Sequence, residues 1–108
     1  MVANREAAQT AVPRISRLMA LAIHMQELVD RGQVADYAEL ARLAHVSRPR
    51  ITQIMSLTLL APDIQEAILF LLGTDGGRGA VGEREVRRLC GAADWQKQRK
   101  MWKQRTAG

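Results

Sequence analysis

From Pro13 onward the apolar residues of this chain recur three and four apart rather than alternating. Ile15, Leu18, Met19, Ala22, Ile23 and Val29 make one helical stripe, and Leu21, Met25 and Leu28 widen it. The spacing predicts a first helix that starts at Pro13, where the missing N–H of proline costs no intrahelical bond, and ends at Gly32. Its breadth predicts burial on more than one side, or a helix shared with a partner subunit. His24 lies on this largely apolar helix and is expected to be a satisfied core histidine.

A second helix is signalled by Asp36 followed three residues on by Glu39, the form of a capping box with Asp in place of Ser or Thr. Behind it, Leu40, Ala41 and Leu43 fall on a core face, and the chain is expected to turn at Ala44, His45 and Val46. Ser47 can cap a third helix over 47–56, because its hydroxyl can accept the free amides of the first turn. Pro49 fits that first turn, and Ile51, Ile54 and Met55 supply the inward stripe. Ile64, Ala67, Ile68 and Leu71 predict a fourth helix over 63–72. Segment 73–82 holds five glycines, follows a helix and lacks the Lys-Ser/Thr ending of a phosphate-binding loop, so it reads as a linker. A short fifth helix is expected over 83–90 and a sixth over about 94–105, with Asp94 as its cap and Trp95 and Trp102 one heptad apart.

Composition agrees with helices. The chain is 47% hydrophobic but only 4% aromatic, so its core volume must come from Leu, Ile, Val, Ala and five Met. The expected fold is all-α, a helix-turn-helix bundle of about five to six helices. Its organisation reads as a flexible N-terminus over 1–12 and a core over 13–72. The linker over 73–82 and basic C-terminal helices over 83–108, packed on or beside the core, follow.

The net charge of +5, from 16 Lys and Arg against 11 Asp and Glu, favours a polyanionic partner without naming it. Cys90 is the single cysteine, which removes an intrachain disulfide and a thiolate zinc site and leaves a small core residue as its expected role. The sequence carries neither a signal peptide nor an apolar run long enough for a membrane span, so a cytoplasmic, nucleoid-associated location is expected. His24 and His45 have no cysteine or paired carboxylate beside them, and Glu83 and Glu85, two apart on a helix, point to different sides. No catalytic residue, metal or cofactor is expected, and the chain does not read as an enzyme.

The middle of the chain has the pattern of a DNA reader. A helix-turn-helix needs a small residue where its helices cross, a turn residue tolerant of positive φ, an apolar wedge, and an apolar anchor on the second helix. Ala41, His45, Val46 and the pair Ile51 and Ile54 meet these needs in order. His replaces the usual Gly at the turn, at a modest cost. Removing the apolar stripe from the third helix leaves Ser47, Arg48, Arg50, Thr52, Gln53 and Ser56 for base readout. Arg can donate two hydrogen bonds to guanine, Gln can bond adenine, and Ser or Thr can serve base or phosphate. No acidic residue lies between Leu40 and Ala61. Arg48 and Arg50 at a helix N-terminus oppose the macrodipole, which suggests a compensating anionic partner.

A second, backbone-contacting set comprises Tyr37, Arg42, His45, Lys97, Lys100 and Lys103. Tyr37 fits a phosphate contact and half-buried packing equally, and His45 fits a phosphate contact and a bare turn role equally. The C-terminal cations also fit a solvated helix face, with Trp95 and Trp102 turned inward or toward a second subunit.

The stretch DYAELARLAHVSRPRITQIMSLTLLAPDIQEAILFL, from Asp36 to Leu71, resembles the DNA-binding domain of plasmid and chromosome partition proteins of the ParB/KorB type. In that family a helix-turn-helix of similar pattern continues into a Leu-Leu-x-Leu-x-Pro-like segment and another helix, and Leu59, Leu60, Pro62, Ile64, Gln65 and Ala67 match that continuation. The later VGEREVRRLCGAADWQKQ is loosely similar to the family's next helices. The resemblance implies that Ser47, Arg48, Arg50, Thr52 and Gln53 approach the major groove. The family's N-terminal nucleotide-binding and sliding-clamp domain, with its Gly-x-Arg-Arg-type box, has no counterpart here, so clamp loading, CTP hydrolysis and partition do not transfer.

The function expected is therefore sequence-specific binding of double-stranded DNA, as a homodimer, by a transcriptional regulator or an accessory part of a mobile-element protein. The alternatives are a protein-interaction module, motivated by the broad apolar face of the first helix and the two tryptophans, and a non-specific architectural binder of nucleic acid.

Overall fold

The structure, a computed structural model, describes residues 12–71 and 81–107. Among them the chain forms six α-helices, one 3₁₀ turn and no strand: α1 (Arg14–Asp30), α2 (Tyr37–Ala44), α3 (Arg48–Met55), the 3₁₀ turn Ser56–Leu59, α4 (Pro62–Leu69), α5 (Glu83–Cys90) and α6 (Trp95–Ala107). The all-α expectation holds. The flexible N-terminus and nearly all of the glycine linker fall on 1–11 and 72–80, outside the described residues.

Pro13 precedes α1 in an extended conformation, and its carbonyl accepts the amides of Ser16 and Arg17. The helix closes at Gly32, whose φ of 73° lets the amides of Gln33 and Val34 turn back to the Leu28 carbonyl. Leu18, Ile23, Leu28 and Val29 pack half-buried against the core, and of the expected apolar stripe Leu21 alone is exposed. Ile15, Met19, Ala22 and Met25 are buried, whereas Arg17, Ala20, Leu21, His24 and Glu27 form a continuous exposed stripe at the same helical spacing. His24 is therefore a surface residue and not a core histidine, because it belongs to that outward stripe. Ser16, also buried, donates its hydroxyl to the Ile68 carbonyl at 2.6 Å and so fastens α1 to α4.

Leu40, Ala41, Ile51, Ile54, Met55, Leu57, Leu60, Ala61, Ile64, Ile68, Val86 and Leu89 complete the core around the inner face of α1. The last two bring α5 into the same core. α6 is held mainly by polar contacts. Gln98, fully buried, accepts the Ala61 amide at 2.8 Å and donates to the carbonyls of Ala92 (2.8 Å) and Leu59 (3.2 Å). Trp95 donates its indole N–H to the same Leu59 carbonyl, Arg99 pairs with Asp63 at 3.0 Å, and Arg105 pairs with Glu85. Only Trp102 and Met101 of α6 lean on the core as half-buried apolar groups. Trp95 stays 45% exposed, so the expected inward pair of tryptophans is realised at Trp102 alone.

Candidate nucleic-acid interface

The site grows from a local conflict between two helices and the short distance between them. Asp36 caps α2 by accepting the Glu39 amide at 2.9 Å, while the Glu39 carboxylate reaches one residue further back, to the Ala35 amide at 2.7 Å. Nine residues after Asp36, His45 takes a left-handed conformation, φ 59° and ψ 40°. It is the one non-glycine residue at positive φ among the described residues. That turn sends the Val46 amide back to the Ala41 carbonyl at 3.1 Å and leaves two further residues before α3. Ser47 then caps α3 by accepting the Arg50 amide at 3.2 Å, with Pro49 in the first turn.

Ile51, Ile54 and Met55 pin α3 to the core, and every residue from Arg42 to Pro49 is exposed. The turn and the start of α3 therefore stand out from the body of the protein. Leu43 lies on this projecting part, 56% exposed, and Val46 is also exposed. Leu43 was expected in the core. α2 buries Leu40 and Ala41 and leans Tyr37 on the core, because eight residues give little more than two turns and one inward face.

The six expected base-reading residues do not share one state. Ser47, Arg48, Thr52 and Gln53 are exposed on the outer side of α3. Ser56 is half-buried and spends its hydroxyl on the Gln53 carbonyl at 2.6 Å. Arg50 is committed within the protein. One guanidinium nitrogen donates to Glu83 Oε1 at 3.0 Å, and the other donates to Glu83 Oε2 and, at 3.1 Å, to Gln53 Oε1. Arg87 Nε stands 3.4 Å from the same Glu83 Oε2. The Arg50 hydrogen bond holds the Glu83 carboxyl below the usual carboxylate range against the opposing effect of burial, with smaller help from the charges of Arg50, Arg87 and Arg14. Glu83 in turn pushes the Arg50 guanidinium further toward its protonated form.

The backbone-contacting set is equally mixed. The Tyr37 hydroxyl donates to Gln26 of α1 at 3.1 Å and its ring is half-buried against the core. Arg42 is exposed and pairs with Glu39 at 3.3 Å, one turn back on the same helix. His45 is exposed and is the left-handed turn residue. Lys97, Lys100 and Lys103 are exposed on α6 at intervals of three, on a helix fastened to α5 and to segment 59–63.

Glu83 is the residue that the sequence reading missed. Residues 40–61 carry no acid, yet folding brings one from 33 residues beyond Arg50 against α3. Its local signal, an acid in the first turn of α5, is that of a helix start and says nothing about α3. Cys90 is half-buried, with its thiol donating to the Val86 carbonyl, and burial pushes its pKa up. Among the described residues no three His, Cys, Asp or Glu side chains gather as metal ligands, and no helix is long and apolar enough to cross a membrane.

No family model, no curated protein and no solved structure matches this chain.

Proposed function

We propose that this protein binds duplex DNA in a sequence-specific manner, with α2, the His45 turn and α3 acting as a helix-turn-helix of the ParB/KorB-like kind. The observation that carries the reading is the projection of α3: its apolar side is sunk in the core while Ser47, Arg48, Thr52 and Gln53 face outward from an acid-free segment. Arg48 and Gln53 are the base-reading side chains, and Ser47 and Thr52 serve base or phosphate. Lys97, Lys100 and Lys103 add sequence-independent contacts to phosphate. One reading helix covers few base pairs, so the active species is a homodimer on a two-part site, serving transcriptional regulation or a mobile element in the nucleoid.

The test is selection of bound sequences from a random duplex pool at near-physiological salt, with Arg48→Ala in parallel. A sharp motif whose binding weakens by ~1–3 kcal/mol in the variant, with relaxed preference at one position, supports the reading. Failure of the wild-type protein to enrich any sequence overturns it.

A protein-interaction module is the second reading, favoured by the exposure of Leu59, Phe70 and Trp95, of which Leu59 and Trp95 touch through a hydrogen bond. It predicts that Leu59→Ser disrupts association with a protein partner while Arg48→Ala does not. Co-purification with each variant separates the two.

A further inference from the structure

Glu83 engages Arg50 through both carboxylate oxygens and both terminal guanidinium nitrogens. The same fork of two parallel N–H groups is what arginine offers to the adjacent O6 and N7 acceptors of guanine. The pair is neither buried nor loose: the two side chains keep 28% and 18% of their surface exposed, so solvent reaches it. Its replacement is already in position. Arg87 Nε, buried and without a hydrogen bond of its own, stands 3.4 Å from Glu83 Oε2, and Arg14 adds a further positive charge nearby. If Arg50 swings away, the carboxylate keeps a cation beside it.

We propose that Glu83 is an internal competitor for the nucleic acid: it occupies Arg50 as a substitute for the acceptor and so sets a cost on the release of Arg50 to any duplex. The inference rests on the duplex-reading function proposed above. Exchanging Glu83 for a phosphate merely replaces one anion with another, so Arg50 adds little to binding on an arbitrary sequence. Exchanging it for a guanine in register adds a fixed bidentate contact to the phosphate contacts already made by the rest of the interface. The pair with Glu83 is given up whichever acceptor takes Arg50. Glu83 therefore weakens binding to both kinds of duplex, and to the cognate one at least as much as to an arbitrary one.

The experiment measures affinity of the full chain for its selected duplex and for a scrambled duplex across a salt series. It compares wild type, Glu83→Gln, Arg50→Ala and the double variant. Glu83→Gln is expected to tighten binding to both duplexes by up to about fivefold, the upper range of a surface ion pair, with the gain on the selected duplex at least as large as on the scrambled one. Its salt dependence should steepen by about one ion, because Arg50 now meets phosphate. Both changes should vanish when Arg50→Ala is also present. Circular dichroism checks that the variants keep their helices, and if Glu83→Gln loses helicity, Glu83→Asp carries the test with the same direction expected. Equal affinities for Glu83→Gln and wild type, weaker binding to both duplexes, or a gain that persists without Arg50 each overturn the proposal. If wild type selects a sharp motif, such a result sinks this inference alone. If neither wild type nor Glu83→Gln binds any duplex, the duplex-reading function falls with it.

Discussion

At the scale of single residues, His45 illustrates how a local conflict is tolerated because the surroundings demand it. A left-handed backbone at a residue with a Cβ costs roughly 1–2 kcal/mol, yet the turn between α2 and α3 needs that conformation to return the Val46 amide to Ala41. His45→Gly removes the steric penalty, which outweighs the opposing cost of added unfolded-chain entropy, so it should raise stability by a few tenths to about 1 kcal/mol. His45→Val, with a β-branched side chain at the same φ, should lower stability by about 1 kcal/mol or more. Urea midpoints of the two variants should lie on opposite sides of wild type. Both outcomes were legible before the fold was known, since the sequence placed a turn residue between a small residue and a wedge. The exposure of His24 was not legible: an apolar helix with one polar residue has the same pattern whether that residue faces in or out.

At the scale of elements, α6 contrasts with the other helices. α1, α3 and α4 are held by apolar stripes that the spacing of Ile, Leu and Met announces. α6 is fixed by Gln98, which satisfies the Ala61 amide and two carbonyls from inside the core. A glutamine among lysines and arginines reads as surface, and nothing in its neighbours marks it as buried. Gln98→Leu leaves the Ala61 amide and the Ala92 carbonyl without their partner, while the Leu59 carbonyl keeps the Trp95 indole N–H. The substitution should cost about 2–3 kcal/mol, with α6 lost at lower urea than the rest. Hydrogen exchange resolved by helix would show this. The α3–α5 connection has a pH signature. Glu83 has a folded pKa below its unfolded value, so its stabilising effect is present at neutral pH and is lost as pH falls through the ordinary glutamate range of about 4.3 toward the depressed folded value. Arg50 stays protonated throughout. Stability should fall as pH drops through and below the ordinary glutamate range, and Glu83→Gln should flatten that fall relative to wild type in urea titrations at each pH.

At the scale of the whole molecule, the charge of +5 is distributed rather than gathered in one cluster. Part of it is neutralised internally, through Arg50 and Arg87 on Glu83, Arg99 on Asp63, Arg42 on Glu39 and Arg105 on Glu85. Arg48 on α3 and Lys97 and Lys100 on α6 remain exposed, and under the proposed function they are the cations offered to DNA. A lysine that contacts phosphate contributes to affinity without regard to sequence. Lys100→Ala should therefore weaken the selected and the scrambled duplex alike and lower the salt slope by about one, leaving the selected motif unchanged. An unchanged slope would confine the interface to α3 and its turn.

The helical period, the capping residues Asp36 and Ser47, the left-handed turn at His45 and the inward anchors Ile51 and Ile54 were all determined by the sequence, because each depends on residues within a few positions of one another. Helix limits followed to within a few residues for the same reason. Only the tertiary structure decided which side of a broad apolar stripe is covered, that Leu43 remains outside, that Gln98 is a core residue, and that Glu83 meets Arg50. These outcomes depend on which helices come together across tens of residues, and a charge or an amide carries no local mark of the partner it will find there.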